Sequence, residues 1–399
     1  MKRIVVCVLF LALGVGISKA QQAENKDYEK LNRELLETDH FWKFIKRGNF
    51  PTDMTSIVIG QNVLTQFITI FQHIQGILVW DGTYGILPTK DLRQTLQEKE
   101  GSVADINLIL CSLFRQCGFD AFPVILNTRG EGEIPAREPK FGDFNYVVCM
   151  VEVEGSFLLC DATARTPVGL LPGRCLNRLG WLVNEEGGKM IDLTSVGKDQ
   201  VLVSTLIKVS GNKVKHKVGI VEKEYAAVRT LDRVAEIGEL GQKSEVKSLF
   251  PGWSFTKFKY DAASNIVSKE FALQKETGDS RKVEVQPLLT EGILHPVAVP
   301  DFSGKRVVFP VKVVRSSHVE MEVPKGYVAV LPEAIEMRIH QNGALLRFQA
   351  MENMGKIIVS FTLTIDKQVY LPEEYRELKA FLQMLDKVYR EVIAFEAKK

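Results

Sequence analysis

The sequence has little of several things, and each scarcity removes a class of function. Lys plus Arg number 51 against 49 Asp plus Glu, a formal net charge of +2. No Lys/Arg-rich run carries interleaved aromatics, so the electrostatic footprint of a nucleic-acid binder is missing. Cysteines are six, with no C-x-x-C pair and no neighbouring His, so no zinc or other metal site is expected. No nucleotide-binding glycine loop is present, and no cofactor is expected. There is no internal repeat and no low-complexity segment. After residue 20 no apolar run approaches the ~20 residues that a membrane-spanning helix needs.

What is there begins with the N-terminus. Met1-Lys2-Arg3 is a basic start, Ile4 to Ile17 is an apolar core, and Ser18-Lys19-Ala20 places small residues where a signal peptidase reads. The pattern predicts a signal peptide over 1–20, cleaved near Ala20-Gln21, and an exported protein, periplasmic or secreted, without stable membrane insertion. Cys7 lies inside the apolar core after Val6, which argues against a lipid anchor. The other cysteines, Cys111, Cys117, Cys149, Cys160 and Cys175, cannot all pair, being odd in number. They read as buried small hydrophobes. One disulfide is compatible with an oxidising compartment, and the sequence does not select its partners.

The 399 residues suffice for two or three domains. Helical periodicity runs over 22–48, with Tyr28, Leu31, Leu35 and Leu36 in phase, and again from about Asp53 to Trp80. Gly48-Asn49-Phe50-Pro51 separates the two. Leu92 to Gln97 predicts a short helix. Ala104 to Cys117 is apolar round most of its circumference, which predicts a helix buried in the core. Ser102-Val103-Ala104-Asp105 has the form of a capping box, and Gly118 closes the helix. Strands follow at Ala121–Leu126, Asn145–Glu154 and Ser156–Cys160, with a hairpin turn at Glu154-Gly155. Beyond Leu182 short Val-rich strands alternate with turns, a sandwich-like texture, interrupted by one helix between Glu224 and Leu249. Pro372 to Phe395 predicts a terminal amphipathic helix whose polar face is too acidic for a membrane surface. It is expected to pack on the β region.

Three short motifs carry a resemblance. They are Gly101-Ser102-Val103-Ala104-Asp105 at the buried helix, Phe144-Asn145-Tyr146 at the next strand and Asp161-Ala162-Thr163 after the return strand. Together they resemble the transglutaminase-like superfamily, and among its members the exported bacterial ones with a β-rich C-terminal region. The likeness is specific between about Trp80 and Cys175, weaker from Tyr28 to Val79, and one of general layout beyond. In the active family the helix begins Gly-x-Cys-x-Asp, the strand carries Asn-His and the next carries Asp-Ala-Thr. The helix end and the imidazole lower the thiol pKa, and the Asp orients the imidazole.

The resemblance implies an α+β fold with a papain-like transglutaminase core over 21–182, a β-rich region with one helix over 183–285, and a sandwich-like domain with a C-terminal helix over 286–399. It also implies that no catalytic triad is intact. Val103 stands in the nucleophile slot and Tyr146 in the His slot, and Asp161 is retained. A tyrosine of ordinary pKa near 10 is a poor base at neutral pH.

No neighbour restores the pair. Ser102 is rotated by about 100° round the helix and reads as its N-cap. Cys111 lies about 12 Å along the axis. Cys160 points to the opposite strand face from Asp161. All six His fall outside the motif strands, His73 on the second helix among them. Asp161 caps a turn or bonds Tyr146, or else lines a ligand pocket left by the old site. Asp105 leans further toward helix capping. The cleft-lining set is then Ser102, Asp105, Asn145, Tyr146 and Asp161, with Arg129, Glu131, Glu133, Arg137 and Glu138 in the loop before the Tyr strand as a rim. The expected function is that of a catalytically inactive transglutaminase-like protein holding a peptide, protein or cell-envelope component. The alternative is an enzyme of rearranged chemistry, amide hydrolysis or acyl transfer, in the residual cleft. Oligomeric state is not legible.

Overall fold

Apolar spacing near 3.6 gives way at Ala121 to a spacing of two, and the structure changes with it. The computed structural model describes residues 19–47, 50, 55–263, 265–278, 281–294, 306–341 and 343–398. Most of the expected signal peptide, with Cys7, lies outside the described residues. So do Gly48, Asn49, Pro51, Asp53 and His295. Contacts divide the chain into two compact units between Val196 and Gly197. The protein is mixed α+β, with most of its regular structure in sheets.

The N-terminal unit opens with α1 (Lys19–Glu37), α2 (Trp42–Arg47), α3 (Val63–Ile77), α4 (Leu92–Glu98) and α5 (Val103–Gln116). Tyr28, Leu31 and Leu35 on α1 are buried, as their spacing requires. The expected second helix is shorter than its periodicity. Gly60 takes φ +78, and α3 starts only after Asn62, whose side chain accepts from Thr65 N–H. Every residue of α5 from Val103 to Phe114 is buried. Its capping box is complete, with Ser102 Oγ accepting from Asp105 N–H (3.1 Å) and Asp105 Oδ2 from Ser102 N–H (2.9 Å). Gly118, at φ +90, ends it.

Five antiparallel strands follow in the order β5-β4-β3-β6-β7. They are β3 (Ala121–Leu126), β4 (Tyr146–Val153), β5 (Ser156–Cys160), β6 (Leu179–Leu182) and β7 (Lys189–Asp192). Glu154 and Gly155 both take positive φ in the tight turn between β4 and β5. Two short parallel strands, β1 (Val79–Trp80) and β2 (Glu100–Gly101), pair Trp80 with Gly101 at the start of α5.

The C-terminal unit is built on one eight-stranded sheet of order β10-β11-β9-β8-β14-β18-β17-β16. Its strands are β8 (Lys198–Ser210), β9 (Lys213–Glu224), β10 (Ser254–Ala263), β11 (Ile266–Glu276), β14 (Lys312–Glu322), β16 (Ile335–Ile339), β17 (Ala344–Asn353) and β18 (Lys356–Ile365). Apart from them, β12 (Lys282–Val285) and β15 (Tyr327–Val330) flank β20 (Ile393–Ala397), and β13 (Val307–Val308) pairs with β19 (Val369–Tyr370). A single apolar core includes side chains of the large sheet and of β12 and β20.

Two expected boundaries move. Strand β7 belongs to the N-terminal sheet, so the first falls after residue 192 rather than at 182. No boundary falls at 285, because β14 lies parallel beside β8 in the same sheet. That pairing joins segments more than a hundred residues apart and leaves no local trace.

Two helices serve this sheet. Helix α6 (Tyr225–Ser248) breaks at Gly238, where φ is 71° and ψ 170°. Helix α7 (Tyr375–Tyr389) buries Leu378, Phe381, Leu385 and Val388 in the core. The periodicity predicts a terminal helix reaching Phe395. It stops at Tyr389, because Ile393 to Phe395 include β-branched and aromatic residues whose backbone pairs with β12 and β15.

Charge is buried here too. Asp199 on β8 bonds Arg229 on α6 (2.6 Å) and Arg315 on β14 (3.0 Å). Arg315 is 1% exposed, so the carboxylate ties three elements through a desolvated pair.

His216, on the buried face of β9, packs against Trp253 at 5.0 Å between ring centroids. Burial holds its pKa down to about 4, below the ~6.5 of the unfolded chain. The unfolded state therefore binds the extra proton first. The stability carried by neutral His216 is complete above pH ~6.5 and is lost as pH falls from there toward 4. Urea unfolding across that window is expected to show a loss of about 3 kcal/mol in wild type that is absent in His216→Gln.

Candidate functional site

The start of α5 is fixed by packing as much as by capping. Gly101 admits no side chain, since a Cβ there would lie 2.8 Å from the Asp105 Cβ and 3.1 Å from Thr95 Cγ2. The Asp105 carboxylate accepts from Ser102 N–H and Oγ, from Thr89 N–H and Oγ1, and from Lys90 N–H. Ser102 and Asp105 are 1% and 0% exposed. Both are spent on holding the helix and the 89–90 loop, and neither joins the polar network described below. Their place in a cleft lining is thereby corrected to a structural one, because a donor-saturated buried carboxylate has no capacity for a ligand.

Val103 is fully buried at the first position of α5, and its N–H donates to Thr83 O (3.1 Å). The Trp80 indole N–H donates to the same oxygen (3.0 Å). The first amide of α5 is thus closed by a loop carbonyl. One turn further on, Asn107 is the polar group of an otherwise apolar face. Its Nδ2 donates to Val147 O on β4 (2.9 Å) and to Asp161 Oδ1 (3.0 Å), and its Oδ1 accepts from Ala162 N–H (3.0 Å). The helix is therefore docked against β4 and the end of β5 through one amide.

Asp161, 0% exposed, is the hub. Its Oδ1 also accepts from Thr163 N–H (2.9 Å) and Oγ1 (2.7 Å). Its Oδ2 accepts from the Tyr146 hydroxyl (2.6 Å) and, more weakly, from the Cys175 thiol (3.7 Å). Tyr146 Oη in turn accepts from Arg174 Nε (3.0 Å) and Nη2 (2.8 Å). The Arg174 Cζ lies 4.5 Å from the centroid of the Trp80 ring and 5.4 Å from that of Tyr146. Tyr84 joins the cluster at 5.2 Å from Trp80 and 5.9 Å from Tyr146.

The structure brings Tyr146 and Asp161 into direct contact and sets the second turn of α5 beside them through Asn107. Asn145 serves the frame. Its side chain exchanges hydrogen bonds with Thr128, and its carbonyl accepts from Gly85 N–H. In the preceding loop Glu133 pairs with Arg178 (2.9 Å). His73 lies on α3.

The titration properties of these groups follow from their burial and from the charge of Asp161. Burial first, and then the charge of Asp161, push the Tyr146 phenol far above its usual range. Burial and Asp161 likewise raise the Cys175 and Cys160 thiols. Burial would lower the Arg174 pKa, but the Tyr146 and Asp161 oxygens outweigh it and hold the guanidinium charged. Cys111, Cys117, Cys149, Cys160 and Cys175 are all free thiols, and only Cys117 reaches the surface in part. Among the described residues no group of His, Cys, Asp and Glu could hold a metal ion, and no helix is long and apolar enough to cross a membrane.

Arg174, Asn107 and Trp80 carry no motif in the sequence. Asn107 alone left a signal, as an amide among apolar residues on a helix expected to be buried. Arg174 left none, because its partner Tyr146 is 28 positions away and on another element.

Residues 304–395 match a domain of unknown function with a solved structure, DUF3858. That stretch includes β14 to β19 and α7. No curated protein matches the chain. A solved structure from Parabacteroides distasonis ATCC 8503, described as a “putative protease”, is 12% identical, with a TM-score of 0.49 over 94% of this chain and 58% of that one. The chain thus spans under two thirds of that protein's length.

Proposed function

We propose that the protein is an exported, catalytically inactive member of the transglutaminase-like superfamily, with a papain-like core, whose former catalytic cleft binds a peptide, protein or cell-envelope component. The observation that carries this reading is the hydrogen bond from Tyr146 to Asp161. It joins the two positions that the resemblance assigns to the imidazole and its orienting carboxylate, and the group in the first of them is a phenol held neutral. The Gly101 and Asp105 positions of the motif are retained for packing and capping, which fits a frame kept after its chemistry was lost. Export is supported by the basic, apolar and small-residue order of residues 1–20.

A rearranged enzyme remains the second reading, favoured by the Cys175 thiol beside Asp161. Against it stand the burial of that thiol and its raised pKa, since the thiolate is the nucleophile.

Treatment of the folded protein with iodoacetamide decides between them, with glutamine deamidation and peptide hydrolysis assayed in parallel. Cys111, Cys149, Cys160 and Cys175 are expected to stay unlabelled until the protein is unfolded, with no turnover above buffer. Turnover abolished by Cys175→Ala, Ser102→Ala or Asp161→Ala in a variant of normal stability would overturn the inactive reading.

A further inference from the structure

Arg174 is the one charged group of the network that meets solvent. Its guanidinium carries five N–H donors. Three are spent inside the network: Nε and one Nη2 hydrogen on Tyr146 Oη, and the other Nη2 hydrogen on Thr163 Oγ1 (2.6 Å). Both Nη1 hydrogens are without an acceptor among the described residues. The Asp161 carboxylate, saturated by its own donors, stays 3.9 Å from Nη2 and takes no direct hydrogen bond from the guanidinium. The side chain is 26% exposed.

The result is a cation fixed through Nε and Nη2 and against one ring, with only its two Nη1 hydrogens open. Holding a guanidinium in one rotamer costs side-chain entropy, and here that cost is met before any ligand arrives. Such preorganisation favours a planar anion able to take charge-assisted hydrogen bonds, a carboxylate above all. The surroundings narrow the choice. Trp80 lies under the guanidinium, and beside Trp80 the Tyr84 ring is 46% exposed. An apolar surface next to an open Nη1 suits a ligand whose carboxylate and apolar side chain leave the same carbon.

Building on the binding-cleft reading above, we propose that Arg174 anchors a carboxylate adjoining an apolar group, the C-terminal residue of a peptide, with the side chain laid on Trp80 and Tyr84. A small apolar acid offers the same chemistry.

The test uses the full chain and three probes: the peptide Gly-Ser-Gly-Phe with a free carboxylate, its C-terminal amide, and 3-phenylpropionate. Binding is read from the indole N–H resonance of Trp80, assigned with Trp80→Phe. The free-acid peptide is expected to shift that resonance saturably, and the amide to bind at least about tenfold more weakly, the loss of one charge-assisted pair. Arg174→Gln is expected to cost the acid at least about tenfold, and Arg174→Lys less. Should Arg174→Gln fail to fold, the acid-to-amide ratio on wild type still decides. If 3-phenylpropionate binds as tightly as the peptide, the source is a small acid and the peptide assignment is wrong. Equal binding of acid and amide, lost in Tyr84→Ala, would overturn the carboxylate anchor and leave the cleft as a binding site. No saturable shift with any probe would overturn the anchor itself. Hydrolysis of the peptide would contradict the inactive reading instead, and the acid-to-amide ratio would still judge the anchor.

Discussion

Asp161→Ala is expected to destabilise the N-terminal unit by about 3 kcal/mol, the scale of removing one member of a buried charged network. The reason lies in what is left behind. Tyr146 Oη, Asn107 Nδ2, Thr163 N–H and Thr163 Oγ1 each lose an acceptor. Asn107 and Tyr146 are 1% and 0% exposed, so water cannot replace what they lose. Arg174, a quarter exposed, can turn outward and rehydrate, which keeps the loss at the lower end for such sites. Tyr146→Phe removes one bond and leaves Asp161 with its other donors, so a smaller loss of about 1 kcal/mol is expected.

The described cysteines give a readout confined to this unit, since Cys111 through Cys175 all precede Val196. Alkylation of the buried thiols against urea concentration therefore measures opening of the N-terminal unit alone. A midpoint shift in Asp161→Ala equivalent to less than about 1 kcal/mol would show that the network around Asp161 is not what joins α5 to the sheet.

The parts of the fold that are legible in the sequence are those fixed by neighbours in the chain. The capping box of Ser102 and Asp105 needs only three residues of spacing, and it is present in full. The burial of α5 follows from its apolar circumference. The turn at Glu154 and Gly155 follows from backbone preference. What is not legible depends on partners far away. The β8–β14 pairing sets Val201 beside Arg315, and nothing local to either predicts it. Ile393 to Phe395 continue an apolar pattern equally compatible with helix and strand, and two partner strands decide it.

The site divides in the same way. Tyr146 and Asp161 are found through their motifs. Arg174 is not, because a guanidinium at position 174 acquires meaning only when the fold brings the Trp80 and Tyr146 rings within 4.5 and 5.4 Å of it. Their place in a motif puts Ser102 and Asp105 in a cleft, and the hydrogen bonds assign them to the helix cap instead.

Restoring the missing chemistry tests most directly whether this is the frame of a thiol enzyme. In Val103→Cys with Tyr146→His, the new thiol stands at the first position of α5. There burial alone would raise the thiol pKa and a neighbouring imidazolium would lower it, and the imidazole replaces a ring whose hydroxyl now sits 2.6 Å from Asp161 Oδ2. Asp161 would then hold the imidazole as it holds the phenol. Because position 103 is fully buried and closed to an alkylating reagent, the decisive measurement is the ultraviolet thiolate absorbance of the introduced thiol as a function of pH, taken as the difference from wild type, in this variant and in Val103→Cys alone. The expected result is a midpoint well below the ~8.5 of an ordinary thiol in the double variant, and a midpoint at or above it in the single one. Coinciding midpoints would contradict the account, because positions 103, 146 and 161 would then not form one site.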